Sequence, residues 1–386
     1  MQSRYRLRMG ASPHPFEKCP DPGFDNNANG PCMKILIYRL GSLGDTVVAL
    51  PAFHLIERAF LHAERRVLTN FPVTNKAAPL QSILEGSGLV HGYFSYPAGS
   101  RAFMELSQLA LDIRRWKPDV LVYLAAPRGT AKLVRDYTFF KTCGISRIVG
   151  MPWTGDLQQR RYESAADYYE GEANRLARCL ASLGDADLKD DANWDLRLTA
   201  AEQTEAAQLL EGFQGRNNFI CASIGTKVST KDWGADNWSE LLRRLAQQYS
   251  KLGLLMVGAG DEVELSDRVA QHWRGPVLNL CGRSAPRVSA ALMAKAKLFM
   301  GHDSGPMHLA AAVGTPCVAV FGARNRPGEW FPRGDRHAIV YNKTDCFGCG
   351  LDICTRYNTR CIREIDVSRV IIRVERLLDT TLSSKQ

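Results

Sequence analysis

The sequence predicts an α/β protein whose parallel sheets are covered by helices, in two architecturally similar halves. Three observations carry that expectation. Short apolar runs of buried-strand type alternate with helically spaced segments along most of the chain. The alternation pauses at an acidic, apolar-poor stretch, Asp185–Asp195, and then begins again. Glycine-containing loops follow strand runs in both series, at the carboxyl ends where open α/β sheets bind their ligands.

The first series starts at Lys34–Leu40 (KILIYRL), a buried-strand run, followed by the glycine loop 41–45 (GSLGD) and a helical pattern over Thr46–Phe60. Pro118–Leu124 and Arg147–Val149 read as further strands. In the second series, Phe219–Ile224 is a strand with Gly225 after it, and Asn237–Tyr249 a helix. Leu254–Val257 leads into the Gly258-Ala259-Gly260 loop, and Val277–Leu280 is another strand. Val288–Ala296 has helical spacing, and Val367–Leu382 reads as a closing amphipathic helix. The expected organisation is a disordered extension over 1–32 and a first unit over 33–184. A linker over 185–200 and a second unit over 201–345 follow, then a Cys-rich segment over 346–361 and a final helix over 362–386.

Composition bounds the function. The chain has 386 residues, 45% hydrophobic and 23% charged, which is globular rather than fibrous or disordered. A formal net charge of +9 favours anionic partners, but no nucleic-acid-binding signature accompanies it. Nucleic acid is therefore not an expected partner. No run of some 18 apolar residues suggests a membrane span. The 11 cysteines, mostly scattered singly and without a signal sequence, suggest free thiols in a reducing cytoplasm.

The strongest local signal lies at 301–322. Leu298–Met300 is a strand, Gly301–Gly305 the turn at its carboxyl end, Met307–Val313 a short helix and Cys317–Phe321 the next strand. Pro306 suits a first helical turn, and Asp303 or Ser304 suits its cap. A helix N-terminus offers free N–H groups and partial positive charge to a phosphate. Gly305 permits close approach, and His308 lies in the first turn. An ordinary strand–helix crossover would also fit these residues.

The string Asp303–Pro316 (DSGPMHLAAAVGTP), closing at Gly322, resembles the donor-site motif of glycosyltransferase family 9, the bacterial heptosyltransferases. Ile35–Asp45, followed by Pro51-Ala52, is similar to that family's first loop. Gly225-Thr226 with Lys231 and Trp233, and then Leu280–Ser284, match in the same order. The resemblance implies a GT-B architecture of two Rossmann-like domains facing across a cleft. The second would hold a nucleotide-diphosphate sugar such as ADP-heptose, the first a lipopolysaccharide-core-type acceptor. It implies inverting transfer without a catalytic metal or other required cofactor, in the cytoplasm, with peripheral contact at an anionic inner membrane.

Residue by residue, the resemblance makes Asp45 the base that deprotonates the acceptor hydroxyl; by position Asp45 also suits a helix cap. Lys231 is the phosphate contact, with neighbouring Lys227 able to be confused with it. Thr226, Asp303, Ser304, Gly305 and His308 complete the donor side. Asp261 or Glu262 is placed to bind ribose or base, or to serve as a helix N-terminal acid. Arg39, Gly44 and Arg128 are the acceptor-side expectations. In the first loop Gly41 stands where relatives often have Ser.

Cys346, Cys349, Cys354 and Cys361 form C-x2-C-x4-C-x6-C, a pattern for structural Zn or Fe or for free thiols. Bound metal would favour a related transferase acting on a protein or small metabolite. A third class, a degenerate nucleotide-binding or metal-dependent assembly protein, is disfavoured by retention of Asp45 and the 303–308 loop.

Overall fold

The computed structural model describes residues 33–70, 78–97 and 103–383; the extension expected over 1–32 lies outside them. The first sheet contains β1 (Lys34–Tyr38), β2 (Glu64–Asn70), β3 (Gly92–Tyr96), β4 (Val120–Tyr123) and β5 (Arg147–Val149). Their spatial order is β3-β2-β1-β4-β5, all parallel. A small antiparallel hairpin, β6 (Tyr162–Glu163) and β7 (Tyr168–Tyr169), follows. The second sheet contains β8 (Phe219–Ser223), β9 (Gly253–Met256), β10 (Val277–Asn279), β11 (Phe299–His302), β12 (Cys317–Phe321) and β13 (Ala338–Tyr341). It is ordered β10-β9-β8-β11-β12-β13, again all parallel.

The sequence dictates this burial directly. The central strands β4, β8, β11 and β12 are buried at every position, and β1 at all but its first. Parallel strands covered on both faces read as continuous apolar runs. In each sheet the strand order reverses beside the first strand: between β1 and β4, and between β8 and β11. Such switch points open a crevice at the carboxyl ends of the strands.

The helix expected over Thr46–Phe60 is two helices, Leu43–Val48 and Leu50–Ala59. Pro51 lies in the first turn of the second and has no N–H with which to continue the first. The acidic connection is packed rather than open. Asp191–Trp194 forms a 3-10 turn, Trp194 and Leu196 are buried, and Asp195 O lies 2.9 Å from His54 Nε2. The closing helix, Val367–Ser383, places Val370, Val374 and Leu378 in the core of the second half.

The halves share one core. Leu43 and Val47 from the first belong to the same buried cluster as Val288, Leu292, Met307 and Leu309 from the second. Arg287 fastens the junction: buried, it donates to Ile83 O and Leu196 O at 2.7 Å, to Arg197 O at 2.8 Å and to Glu202. On another side, Tyr169 N donates to Pro327 O at 2.7 Å, and Arg160 pairs with both Glu172 and Glu329.

Candidate active site

Loops following β1, β8, β9, β10, β11 and β12 line a cavity of about 570 Å³, a size that suits a small-molecule ligand. Gly44, Asp45, Thr226, Lys231, Glu262, Asp303, Ser304, Gly305 and His308 all line it. Arg39 and Arg128 are not among the lining residues.

On the first-half side, the helix Leu43–Val48 starts directly after β1. Asp45, in its first turn, accepts from the Ser42 N–H at 2.8 Å and the Ser42 hydroxyl at 3.0 Å through the same oxygen, Oδ2. It therefore caps its own helix while standing in the cavity wall. Arg39 is buried beneath this loop. It donates to Leu124 O at 2.6 Å and to the backbone carbonyl of Asp45 at 2.5 Å, holding the ends of β1 and β4 together. Arg128 donates to the Tyr38 hydroxyl at 3.0 Å and lies 3.5 Å from Asp136 Oδ2.

On the other side, the helix Gly305–Ala312 begins at the carboxyl end of β11. Its N-cap, Ser304, makes no side-chain cap bond, no acid occupies its first turn, and the Ser304 hydroxyl is buried without a partner among the described residues. Lys231 Nζ stands 2.7 Å from Asp303 Oδ2 and 3.1 Å from the Asp303 carbonyl. His308 is buried beside the Trp330 ring, with centroids 6.4 Å apart, and burial pushes its pKa down to about 4, so it is neutral at pH 7.

The two walls touch. A Cβ on Gly305 would fall 2.5 Å from Leu43 Cδ2, and one on Gly44 would fall 3.1 Å from His308 Cδ2. Gly305 thus admits the opposite loop, besides the ligand approach that the sequence suggested. Glu262 lies over two further glycines: a Cβ on Gly225 would sit 1.9 Å from its Cδ, and one on Gly258 2.2 Å from its Oε2. That oxygen accepts from Ala259 N at 2.9 Å.

Three site elements were not singled out from sequence. His302 is buried; its Nε2 accepts from Trp233 N and from Trp238 Nε1, each at 3.1 Å, so its proton belongs on Nδ1. Trp233, read only as a motif residue, therefore orients the strand end that carries Asp303. Trp330 forms a cavity wall from a loop with no local signal. Lys227, noted only as a neighbour of Lys231, also lines the cavity.

Of the two readings of Cys346, Cys349, Cys354 and Cys361, a Zn or Fe site or free thiols, the metal site is not seen among the described residues, and the four thiols form no disulfide. Among the described residues no group of three or more ligating side chains could hold a metal ion. Cys349 is exposed, and Cys354 Sγ accepts from the Tyr357 N–H at 3.4 Å. Burial and the neighbouring Cys346, Cys349 and Cys354 thiols push the Cys361 thiol up, and the segment that carries them braces the donor side. Thr230 donates to Leu351 O at 2.7 Å and Ser229 to Asp352 O at 2.9 Å, next to Lys231.

The model of glycosyltransferase family 9 (heptosyltransferase) matches residues 144–355, more than half of the chain. The chain belongs to glycosyltransferase family 9. Like that family's members it is a glycosyltransferase, and its paired parallel sheets are the GT-B fold. It is 27% identical to lipooligosaccharide heptosyltransferase 2 of Campylobacter jejuni over 90% of this chain and 98% of that one. Its fold is similar to a family 9 glycosyltransferase from Veillonella parvula, with a TM-score of 0.69 at 17% identity, over 90% of this chain and 97% of that one. It is also similar to the Escherichia coli ADP-heptose lipopolysaccharide heptosyltransferase II, with a TM-score of 0.63 at 17% identity, over 92% and 100% of the two chains. No helix among the described residues of this family 9 enzyme is long and apolar enough to cross a membrane.

Proposed function

We propose that this family 9 enzyme moves a heptose, with inversion, from ADP-heptose or a close analogue to a hydroxyl of a lipopolysaccharide-core-type acceptor. One observation carries the reading: the Asp45 carboxylate and the uncapped N-terminus of Gly305–Ala312 line one cavity, from opposite halves. The names borne by the Campylobacter and E. coli proteins supply the sugar and acceptor class.

In the proposed reaction the acceptor oxygen attacks C1 of the sugar, the C1–O bond to the diphosphate breaks, and the acceptor proton passes to Asp45. One carboxylate oxygen is engaged by Ser42, which aims the group and leaves Oδ1 for the proton. The nucleoside diphosphate leaves toward the helix N-terminus at Ser304–Gly305, where free N–H groups and the Ser304 hydroxyl receive its charge. Thr226 and Glu262 are the proposed contacts to phosphate and ribose. Arg39 acts by fixing the Asp45 backbone, and Arg128 remains the first-half cation that an anionic acceptor would meet. No step needs a metal or other cofactor. The protein- or metabolite-modifying alternative rests on a metal-bound Cys segment, and among the described residues no group of ligating side chains is arranged to hold a metal ion. Asp45 and the 303–308 loop stand together at one cavity, which supports this reading over a degenerate assembly protein. The proposed place of action is the cytoplasmic face of an anionic membrane.

The test is a panel of ADP-, GDP- and UDP-sugars scored by melting temperature and by transfer to a core acceptor. ADP-heptose is expected to give the largest rise; no rise with any nucleotide sugar overturns the donor reading.

A further inference from the structure

The Trp330 indole lines the cavity where the two halves meet. By sequence Trp330 belongs to the second half, on the connection from β12 to β13. Its ring nevertheless packs against a buried cluster of the first half, Val48, Ala173 and Trp194. The backbone beside it is tied to the same half: Tyr169 N donates to Pro327 O at 2.7 Å and Glu172 N to Glu329 O at 3.1 Å. Arg160, also of the first half, completes the attachment. Its guanidinium lies over the Trp330 ring, 5.6 Å from the centroid, and stands 3.2 Å from Glu329 Oε1 and 2.8 Å from Glu172 Oε2. Glu172 does not need this second arginine for its charge. Its fully buried carboxylate already accepts from Arg175 at 2.6 and 3.0 Å. Burying a further charge is costly in itself. What Arg160 adds is a link from the first half to the segment that carries Trp330.

The order of the loops along the second sheet says which part of a ligand meets the indole. Glu262, the proposed ribose contact, follows β9, and the open helix N-terminus follows β11. Trp330 follows β12, on the far flank of the order β10-β9-β8-β11-β12-β13 from Glu262. A nucleoside diphosphate laid from Glu262 to Ser304 therefore carries its sugar toward Trp330. The Asp45 loop reaches the same end: a Cβ on Gly44 would fall 3.1 Å from the His308 ring, whose centroid is 6.4 Å from that of Trp330. An indole offers a large apolar surface with one polar N–H, which matches a sugar ring with apolar C–H faces and polar edges.

We propose that Trp330 is the wall against which the transferred sugar packs and which shuts water from its C1. Arg160 is the positioning residue that holds this wall from the opposite half. The assignment rests on the donor reading above and makes the sugar end of the site a joint product of both halves.

The experiment measures binding of ADP and of ADP-heptose to wild type, W330A, W330L, W330F and R160Q, together with transfer to a core acceptor and hydrolysis of the donor by water. In W330A, ADP-heptose affinity is expected to fall by about 10-fold while ADP affinity stays near wild type, so the preference for nucleotide sugar over nucleotide shrinks. Hydrolysis should rise relative to transfer. W330L, which spares the apolar packing between the halves, should show the same loss in weaker form, and W330F should recover most of the preference. R160Q should repeat the W330A pattern at reduced size. An unchanged preference in W330A or W330L overturns the sugar wall, and so does an equal loss of ADP and ADP-heptose in W330L. A folded R160Q with wild-type preference overturns the positioning role. If wild type binds neither ligand, the donor reading falls as well; if it binds both and the preference does not move in the variants, only the Trp330 assignment falls.

Discussion

The loops after β1 and β11 each flank the switch point of their sheet and each open a helix, yet they treat their helix N-termini oppositely. The first is closed by its own acid: Asp45 reaches back to the N–H and hydroxyl of Ser42. The second is left open, with no acid in its first turn and a Ser304 hydroxyl that has no partner among the described residues. A helix N-terminus that supplies its own anion has little attraction left for a second one, whereas an open N-terminus invites it. The same local architecture thus gives a carboxylate held ready on one wall and an anion seat on the other.

Asp45 offers the largest effect. In D45N the amide oxygen can still accept from Ser42, so the helix cap survives while the base is lost. We expect kcat to fall by about 10²- to 10⁴-fold with the melting temperature nearly unchanged, read by a transfer assay at saturating donor. An unchanged kcat sinks the base role.

The open side also carries a pH signature. Burial holds His302, His308 and His337 down at about 4, against an ordinary value of 6.5. Between those values the unfolded chain binds protons that the folded chain refuses, so stability is present above pH 6.5 and is lost as pH falls toward 4. Urea midpoints should drop across that window, and H308N should flatten part of the slope. An equal slope in H308N would mean that His308 is not held neutral by the contact between the walls.

Gly305→Ala tests the contact itself. Its Cβ would meet Leu43 Cδ2 at 2.5 Å, so a loss of about 1–3 kcal/mol is expected from overpacking. L43A should relieve that clash, so the double variant should be less destabilised than the sum of the singles. Strict additivity in denaturant unfolding would show that the two loops do not press on each other.

How far the sequence revealed this comparison depends on the range of the interactions. The runs KILIY at 34–38, FICAS at 219–223 and CVAVF at 317–321 are apolar throughout, because both faces of a central parallel strand are covered, and they announce themselves. The glycine loops behind them are equally visible. By contrast, β2 opens with Glu64, Arg65 and Arg66 and carries no strand signature. Arg65 is tolerated there because its buried guanidinium donates to the Leu89, Gly88, Ala63 and Phe60 carbonyls, partners that only the folded loop gathers. Arg39 was expected to face a ligand for the same reason: its carbonyl partner at Leu124 lies on another strand. The Lys231 ammonium likewise finds its partner in Asp303, far away along the chain.

The smallest effect is the sharpest comparison, because one substitution made at both caps should give opposite results. Ser42→Ala removes a hydroxyl that donates to Asp45, and should cost about 0.5–1.5 kcal/mol of stability. Ser304→Ala removes a buried hydroxyl with no partner among the described residues, so stability should hold or rise slightly. Donor affinity should reverse the order: S304A loses a hydrogen bond to the entering phosphate, about a few-fold to tenfold, while S42A leaves the donor seat intact. Melting temperatures with and without a nucleoside diphosphate read both columns of this comparison. Were S304A to destabilise the free enzyme as much as S42A does, the second N-terminus would be a capped helix end like the first, and the anion seat would have to be sought elsewhere in the cavity.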